Sequence, residues 1–255
     1  MGANTILDYP LAVFFISVIV LWGSAWIGAF LRTRSQEQAL GEDFRLILGA
    51  TLTLLALIIG FSFSMATNRY DQRKDYEEAE TNAISTEYVR AQLLPPDESA
   101  KVSLLLRKYI DARISFYISP DGPQLVQING DTARLQTDLW SSVKRPALAK
   151  PTPVRVLVLS GMNDVLNSQG YTQAAWWNRI PTAAWSLMVL IAASANFLVG
   201  YALTRTKGRS LTLLILPVLV SIAFTLIADL DSPRGGLIHV SPENLLSLSA
   251  SLRRH

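Results

Sequence analysis

The sequence predicts an all-α membrane protein, with four transmembrane helices in two hairpins and a helical extramembrane domain between them. Three observations carry this prediction. Residues 9–31, 46–68, 180–204 and 210–228 contain no charged residue. A helix rises about 1.5 Å per residue and the hydrocarbon layer is about 30 Å thick, so roughly 20 apolar residues cross it. The polar segment between the second and third stretches repeats its apolar residues at helical spacing, without the period-two alternation of a sheet.

Overall figures separate the classes poorly, since 255 residues that are 50% hydrophobic suit a soluble domain equally well. The segregation of charge does separate them. Charged residues are 17% of the chain and all lie outside the four stretches, so the remainder is as charged as an ordinary soluble protein. That excludes a cytosolic enzyme. The net charge of +3 is too small and too scattered for a nucleic-acid partner. The absence of cysteine removes disulfides, thiolate metal sites and thiol redox centres, and leaves the compartment open.

The first stretch, Tyr9 to Leu31, is longer than a signal-peptide core and no Lys or Arg precedes it, so it reads as a retained span. The second contains Gly60 and the fourth Pro217, which a helix bundle tolerates and which predict kinks. The spans form hairpins over 9–68 and 180–228, leaving 69–179 as the extramembrane domain and 229–255 as a tail.

Within that domain, RYDQRKDYEEAETNAISTEYVRAQLL continues the second span as a helix until Pro95 and Pro96 stop it. The interleaved acids and bases of RKDYEEAE, residues 73–80, read as a solvated helix with ion pairs in preference to acid and base catalysis. Asp97 offers a cap for a second helix through Val102, Leu105, Leu106, Tyr109, Ile110 and Tyr117. After a turn at PDGP, residues Leu125, Ile128, Leu135, Leu139 and Val143 mark a third helix and Val154 to Leu166 a fourth. Breaks are expected at Pro146 and at Pro151 and Pro153. The segment GMNDVLNSQG, residues 161–170, reads either as a polar binding site or as caps and breaks where the chain turns towards the membrane. Trp176, Trp177 and Arg179 suit anchoring at the headgroup level.

Two short loops hold Arg32, Arg34, Arg45, Arg205, Lys207 and Arg209, whereas residues 1–10 hold no basic residue. By the positive-inside rule those loops are cytoplasmic, and residues 69–179 then face outward, since long loops translocate largely regardless of charge.

Motifs for catalysis are absent: there is no glycine-rich phosphate loop, no histidine pair on a helix and no nucleophile elbow. His239 and His255 are the only histidines, too few for a metal site built on converging ligands. No catalytic residue, metal or cofactor is expected.

The second span carries a mixed stripe in which Thr53, Gly60, Ser64, Thr67 and Asn68 accompany Leu57 and Phe61. Thr53, Leu57 and Phe61, four residues apart, stack along one line. Small residues there let neighbouring helices approach and hydrogen bond within a bundle. Alternatively, the stripe faces a water-filled pore in an oligomer, where apolar rings gate by dewetting and polar rings hydrate an ion.

The segment GFSFSMATNRY, residues 60–70, resembles the end of the second transmembrane helix of bestrophins: a Gly-Phe pair, here Gly60 and Phe61, followed by Arg69 and Tyr70. IADLDSPRGG, residues 227–236, is similar to the acidic, proline- and glycine-containing turn by which bestrophins leave the membrane. The order of two spans, a helical domain, two spans and a tail agrees as well. With RYDQRKDYEEAE and GMNDVLNSQGYTQAAWWNRIP, the chain as far as Leu248 looks like a member of the bacterial bestrophin-like domain family. The resemblance implies a multi-pass protein of the bacterial cytoplasmic membrane, and a pentamer conducting inorganic anions through the lipid bilayer. Its pore-lining residues would be Thr53, Leu57, Phe61, Ser64, Asn68 and Arg69, the first three forming the neck. Thr53 departs from an all-apolar neck and implies a shorter, wetter constriction. Arg234, Gly235, Gly236, Leu237 and Ile238 stand where animal bestrophins carry a calcium-binding acidic run, so calcium gating is not implied. The resemblance also places the large domain in the cytoplasm, against the charge bias, which is kept because it follows from this sequence directly. A function of another class stays open: a membrane-anchored sensor or scaffold whose helical domain binds a partner protein.

Overall fold

Every regular element among the described residues, 6–34, 41–203 and 209–254, is helical in the computed structural model. A 3-10 turn at Ile6–Asp8 precedes α1 (Pro10–Arg34), α2 (Glu42–Ala91), α3 (Pro96–Ile118), α4 (Pro123–Ala149), α5 (Pro153–Trp177), α6 (Thr182–Ala202), α7 (Arg209–Asp231) and α8 (Glu243–Leu252). Proline opens α1, α3, α4 and α5, where its missing N–H has no helical partner to lose. Four apolar stretches, in α1, in α2, within 153–202 and in α7, are long and apolar enough to cross a membrane. Arg205 and Lys207 of the charge argument, and His255, lie outside the described residues.

The chain divides into two units, Met1–Tyr70 with Arg179–His239 and Asp71–Asn178 with Val240–His255. In the first, Leu21, Ala25, Met188, Ala192, Ala195, Phe224 and Ile227 are buried. Two glycines bring α1 and α6 into backbone contact: a Cβ on Gly28 would lie 2.1 Å from the Phe197 carbonyl oxygen, and one on Gly200 would lie 1.9 Å from that of Ala25. Ser24 donates across the same seam to the Ala193 carbonyl at 2.7 Å.

The second unit packs Ile84, Leu106, Tyr109, Ile110, Phe116, Leu139, Val158, Met162 and Val165 into its core. Several sequence expectations change here. Asp97 lies inside the first turn of α3, whose N-cap is Pro95. Pro146 does not end α4, which runs on to Ala149; the proline sits in the last turn, where Arg155 Nη1 donates to its carbonyl at 3.1 Å. α5 does not stop near Leu166 but runs unbroken through 161–170 to Trp177, so those polar residues neither cap nor break a helix. Trp176 is not an interfacial anchor: it is buried with ring contacts at 5.0 Å to Phe116 and 5.5 Å to Tyr117, while Trp177 is exposed.

Candidate functional site

No proline interrupts residues 42–91, and helix-favouring Leu and Ala dominate the first half, so α2 extends over 50 residues. Most of its buried residues, Leu55, Ser62, Ala66, Arg73, Glu77, Glu80, Ile84, Glu87 and Ala91, recur at intervals of three, four or seven and make one face, with Thr81 and Tyr88 buried at its edge. At about 100° per residue, Thr53, Leu57, Phe61, Ser64 and Asn68 fall within an arc of about 80° on the opposite side. All five are exposed in the single chain, Leu57 by 51% and Phe61 by 62%. The Thr53 hydroxyl donates to the Gly49 carbonyl at 2.9 Å, so its polarity is satisfied within the helix. Nothing lies within 4 Å of a Cβ built on Gly49 or Gly60; the close approach that small residues permit is at Gly28 and Gly200 instead.

Arg69 does not join this line. It follows Asn68 by one residue, about 100° around the helix, and is partly buried. The fold therefore brings five of the six sequence-predicted residues onto one face and sets the sixth at its side.

Further along α2, sequence reasoning missed a buried polar face. RKDYEEAE is solvated on one side only: Lys74, Asp75 and Glu78 are exposed, while Arg73, Glu77 and Glu80 are buried. Glu80 pairs with Arg113 of α3, through both Nε and, at 3.3 Å, Nη2. It also accepts from the Thr172 hydroxyl at 3.1 Å and the Tyr117 hydroxyl at 3.4 Å. Burial works against the Arg113 charge, but Glu80 beside it outweighs that and holds the guanidinium above its ordinary range. Burial, reinforced by the Glu80 charge, pushes the Tyr109 and Tyr117 hydroxyls up, so both remain neutral. Glu77 accepts from the Leu245 backbone N–H at 3.0 Å and from Asn244 Nδ2 at 2.6 Å, fastening the first turn of α8 to α2. The signal was present in the sequence as the spacing 73, 77, 80, 84, 87, which continues the apolar face of the span.

At the exit of α7, the acidic turn is closed on itself. Asp229 accepts from the backbone N–H of Leu237 at 2.7 Å and of Ile238 at 3.3 Å. Gly236 has φ +86°, and a Cβ there would lie 1.5 Å from Asp229 Oδ1, so glycine alone fits. Asp231 accepts from the Ile180 N–H at 2.9 Å, and Arg179 reaches Asp8 at 2.5 Å and Asp231 at 3.7 Å. Arg179 thus ties the N-terminal turn to the exit of α7 instead of standing free at a headgroup surface. Among the described residues, no three His, Asp or Glu side chains are placed to hold a metal ion.

The family model described as Bestrophin-like domain matches residues 14–245 of the chain. Among solved structures, a bacterial Bestrophin homolog from Klebsiella pneumoniae superposes with a TM-score of 0.66 at 14% identity, covering 96% of this chain and 96% of that one. A variant of that homolog carrying a single mutation gives 0.67 at 13% identity over 94% and 96%. A structure described as a membrane protein gives 0.68 at 12% identity, again over 94% and 96%. Identities this low establish a shared fold. None of the curated proteins compared with the chain matches it.

Proposed function

We propose, because this chain belongs to the bestrophin-like domain family, that it is the subunit of a membrane ion channel passing inorganic anions. Several copies, five by the resemblance, surround an axis in a lipid bilayer, with the Thr53–Asn68 face of α2 towards the pore. In a bacterium the bilayer is the cytoplasmic membrane.

One observation carries this reading: the mixed stripe lies on the side of α2 opposite to the face its own chain buries. Only 11% of the apolar stretch of α2 is buried within the chain, against 28, 33 and 39% for the other three. A scaffold that used Thr53, Ser64 and Asn68 to pack its own bundle would have them inside it. Lipid alone is a poor neighbour for Asn68, whereas a hydrated axis satisfies it. Phe61 and Leu57 would form the narrow apolar rings, Thr53 a polar ring beside them, and Arg69 a cation near one mouth that raises the local anion concentration. No cofactor enters this reading.

The decisive experiment is the oligomeric state in detergent together with anion flux in reconstituted vesicles. An oligomer with chloride flux supports the channel. A strictly monomeric protein without flux supports the membrane-anchored scaffold.

A further inference from the structure

The segment GMNDVLNSQG and the carboxyl of Glu87 play no part in the pore reading, yet the fold brings them together. Glu87 is 0% exposed, and neither of its carboxyl oxygens has a hydrogen-bond partner among the described residues. An ionised carboxylate without a donor is costly to bury, so such a group is held neutral or moves to find a partner. Its seat is made by α5. A Cβ on Gly161 would lie 2.0 Å from Glu87 Oε2 and 2.4 Å from Arg90 Nη1, so the absence of a side chain at position 161 leaves room for the carboxyl.

Two charges of opposite sign act on this seat. Arg90 approaches from α2 itself and Asp164 from α5, one turn beyond Gly161. On α3, Arg107 is committed to the Tyr88 hydroxyl at 2.7 Å. Burial is the main reason the Glu87 carboxyl is pushed up to about 8, with Arg90 opposing the rise and Asp164 adding to it.

We propose that the Glu87–Gly161 contact between α2 and α5 is a proton-operated latch of the helical unit, closed while the carboxyl is neutral and released when it ionises under alkaline conditions. On ionisation the carboxylate, which makes no hydrogen bond in the closed seat, turns to bond the Arg90 guanidinium beside it or water, and the two helices lose their contact at Gly161. The sign follows from proton linkage. The folded carboxyl titrates near 8 and the unfolded one near 4.5. Between those values the folded state holds a proton that the unfolded state has lost, so stability falls as pH rises towards 8 and levels off above it. α2 is one unbroken helix from Glu42 to Ala91, so release acts on the helix that carries the stripe. That last coupling rests on the channel reading.

The test uses the full chain in detergent and in vesicles. Thermal unfolding from pH 6 to 9.5 should show the wild type losing roughly tenfold in folding equilibrium per pH unit up to about 8, and Glu87→Gln losing that component. In infrared spectra, the wild type should show a protonated buried carboxyl at pH 7 that disappears by pH 9.5. Parallel pH profiles for the two proteins, or no protonated carboxyl at pH 7, would overturn the latch. Should Glu87→Gln not fold, the infrared measurement on the wild type decides alone. In vesicles, chloride flux should change between pH 7 and 9 in the wild type and not in Glu87→Gln. Absence of flux at every pH counts against the channel reading, and the unfolding and infrared results still decide the latch.

Discussion

Glu80 on α2 and Arg113 on α3 form an ion pair in which neither side chain is exposed to solvent. Thr172 and Tyr117 donate to the same carboxylate, so three elements of the helical unit meet at one charge. Removing a single partner leaves an uncompensated buried ion. Arg113→Met should therefore destabilise the helical unit by about 3–5 kcal/mol, read as a lower unfolding temperature. The double variant Glu80→Gln with Arg113→Met should recover part of the loss, because no lone charge remains. Equal damage in single and double variants would mean that packing, and not the charge, governs this position.

The pore reading makes two phenylalanines two residues apart behave differently. Phe61 lies on the stripe, and Phe63, about 200° away around the helix, does not. Both are exposed in the single chain. Phe61→Ala should raise chloride conductance in reconstituted vesicles severalfold or leave the channel open, while Phe63→Ala should leave conductance near wild type. Similar effects of both would remove the stripe from the conduction path.

The charge of Arg69 is expected to tune selectivity less sharply than a residue on the stripe. Arg69→Glu should shift the reversal potential in a chloride gradient towards cation permeability, and Asn68→Glu should shift it further. The order follows from the position of Asn68 on the exposed line and of Arg69 to its side. A larger shift for Arg69→Glu would place the axis nearer its side of the helix.

Close packing of α1 on α6 predicts a sharp contrast among glycines. Gly200→Ala puts a methyl group against the Ala25 carbonyl, and Gly28→Ala puts one against that of Phe197. Each should lower stability by about 1–3 kcal/mol or more, as overpacking does. Gly23→Ala, with nothing within 4 Å of the added carbon, should be neutral. Unfolding temperatures of the three variants measure this directly.

Membrane orientation is decided by two introduced cysteines, since the chain has none of its own. If the charge bias of the short loops governs, an impermeant thiol reagent on intact cells labels Asp121→Cys and spares Ser35→Cys. The reverse pattern puts the helical unit in the cytoplasm, as the bestrophin resemblance implies.

Much of the architecture is legible in the sequence because the bilayer imposes a simple rule. Four charge-free runs of sufficient length identify the apolar helices, and the lack of proline after Glu42 carries the second of them on into the helical unit. Helical periodicity also puts Thr53, Leu57, Phe61, Ser64 and Asn68 on one line without any structure. It does not say whether that line is covered. Within a span, residues facing lipid and residues facing protein are both apolar, so hydropathy does not distinguish them, and only the packed bundle shows that α2 buries the opposite face. The same limit explains the errors in the helical unit. Arg73, Glu77 and Glu80 read as solvated because acids and bases alternate locally, but Glu77 and Glu80 have partners 168 and 33 positions away in Leu245 and Arg113. Likewise Gly161 reads as a helix breaker until the Glu87 carboxyl is seen in the space its side chain would fill. Local composition determines which segments are helices and which can enter a membrane; the partners of a buried polar group are set by which helices the tertiary fold brings alongside it.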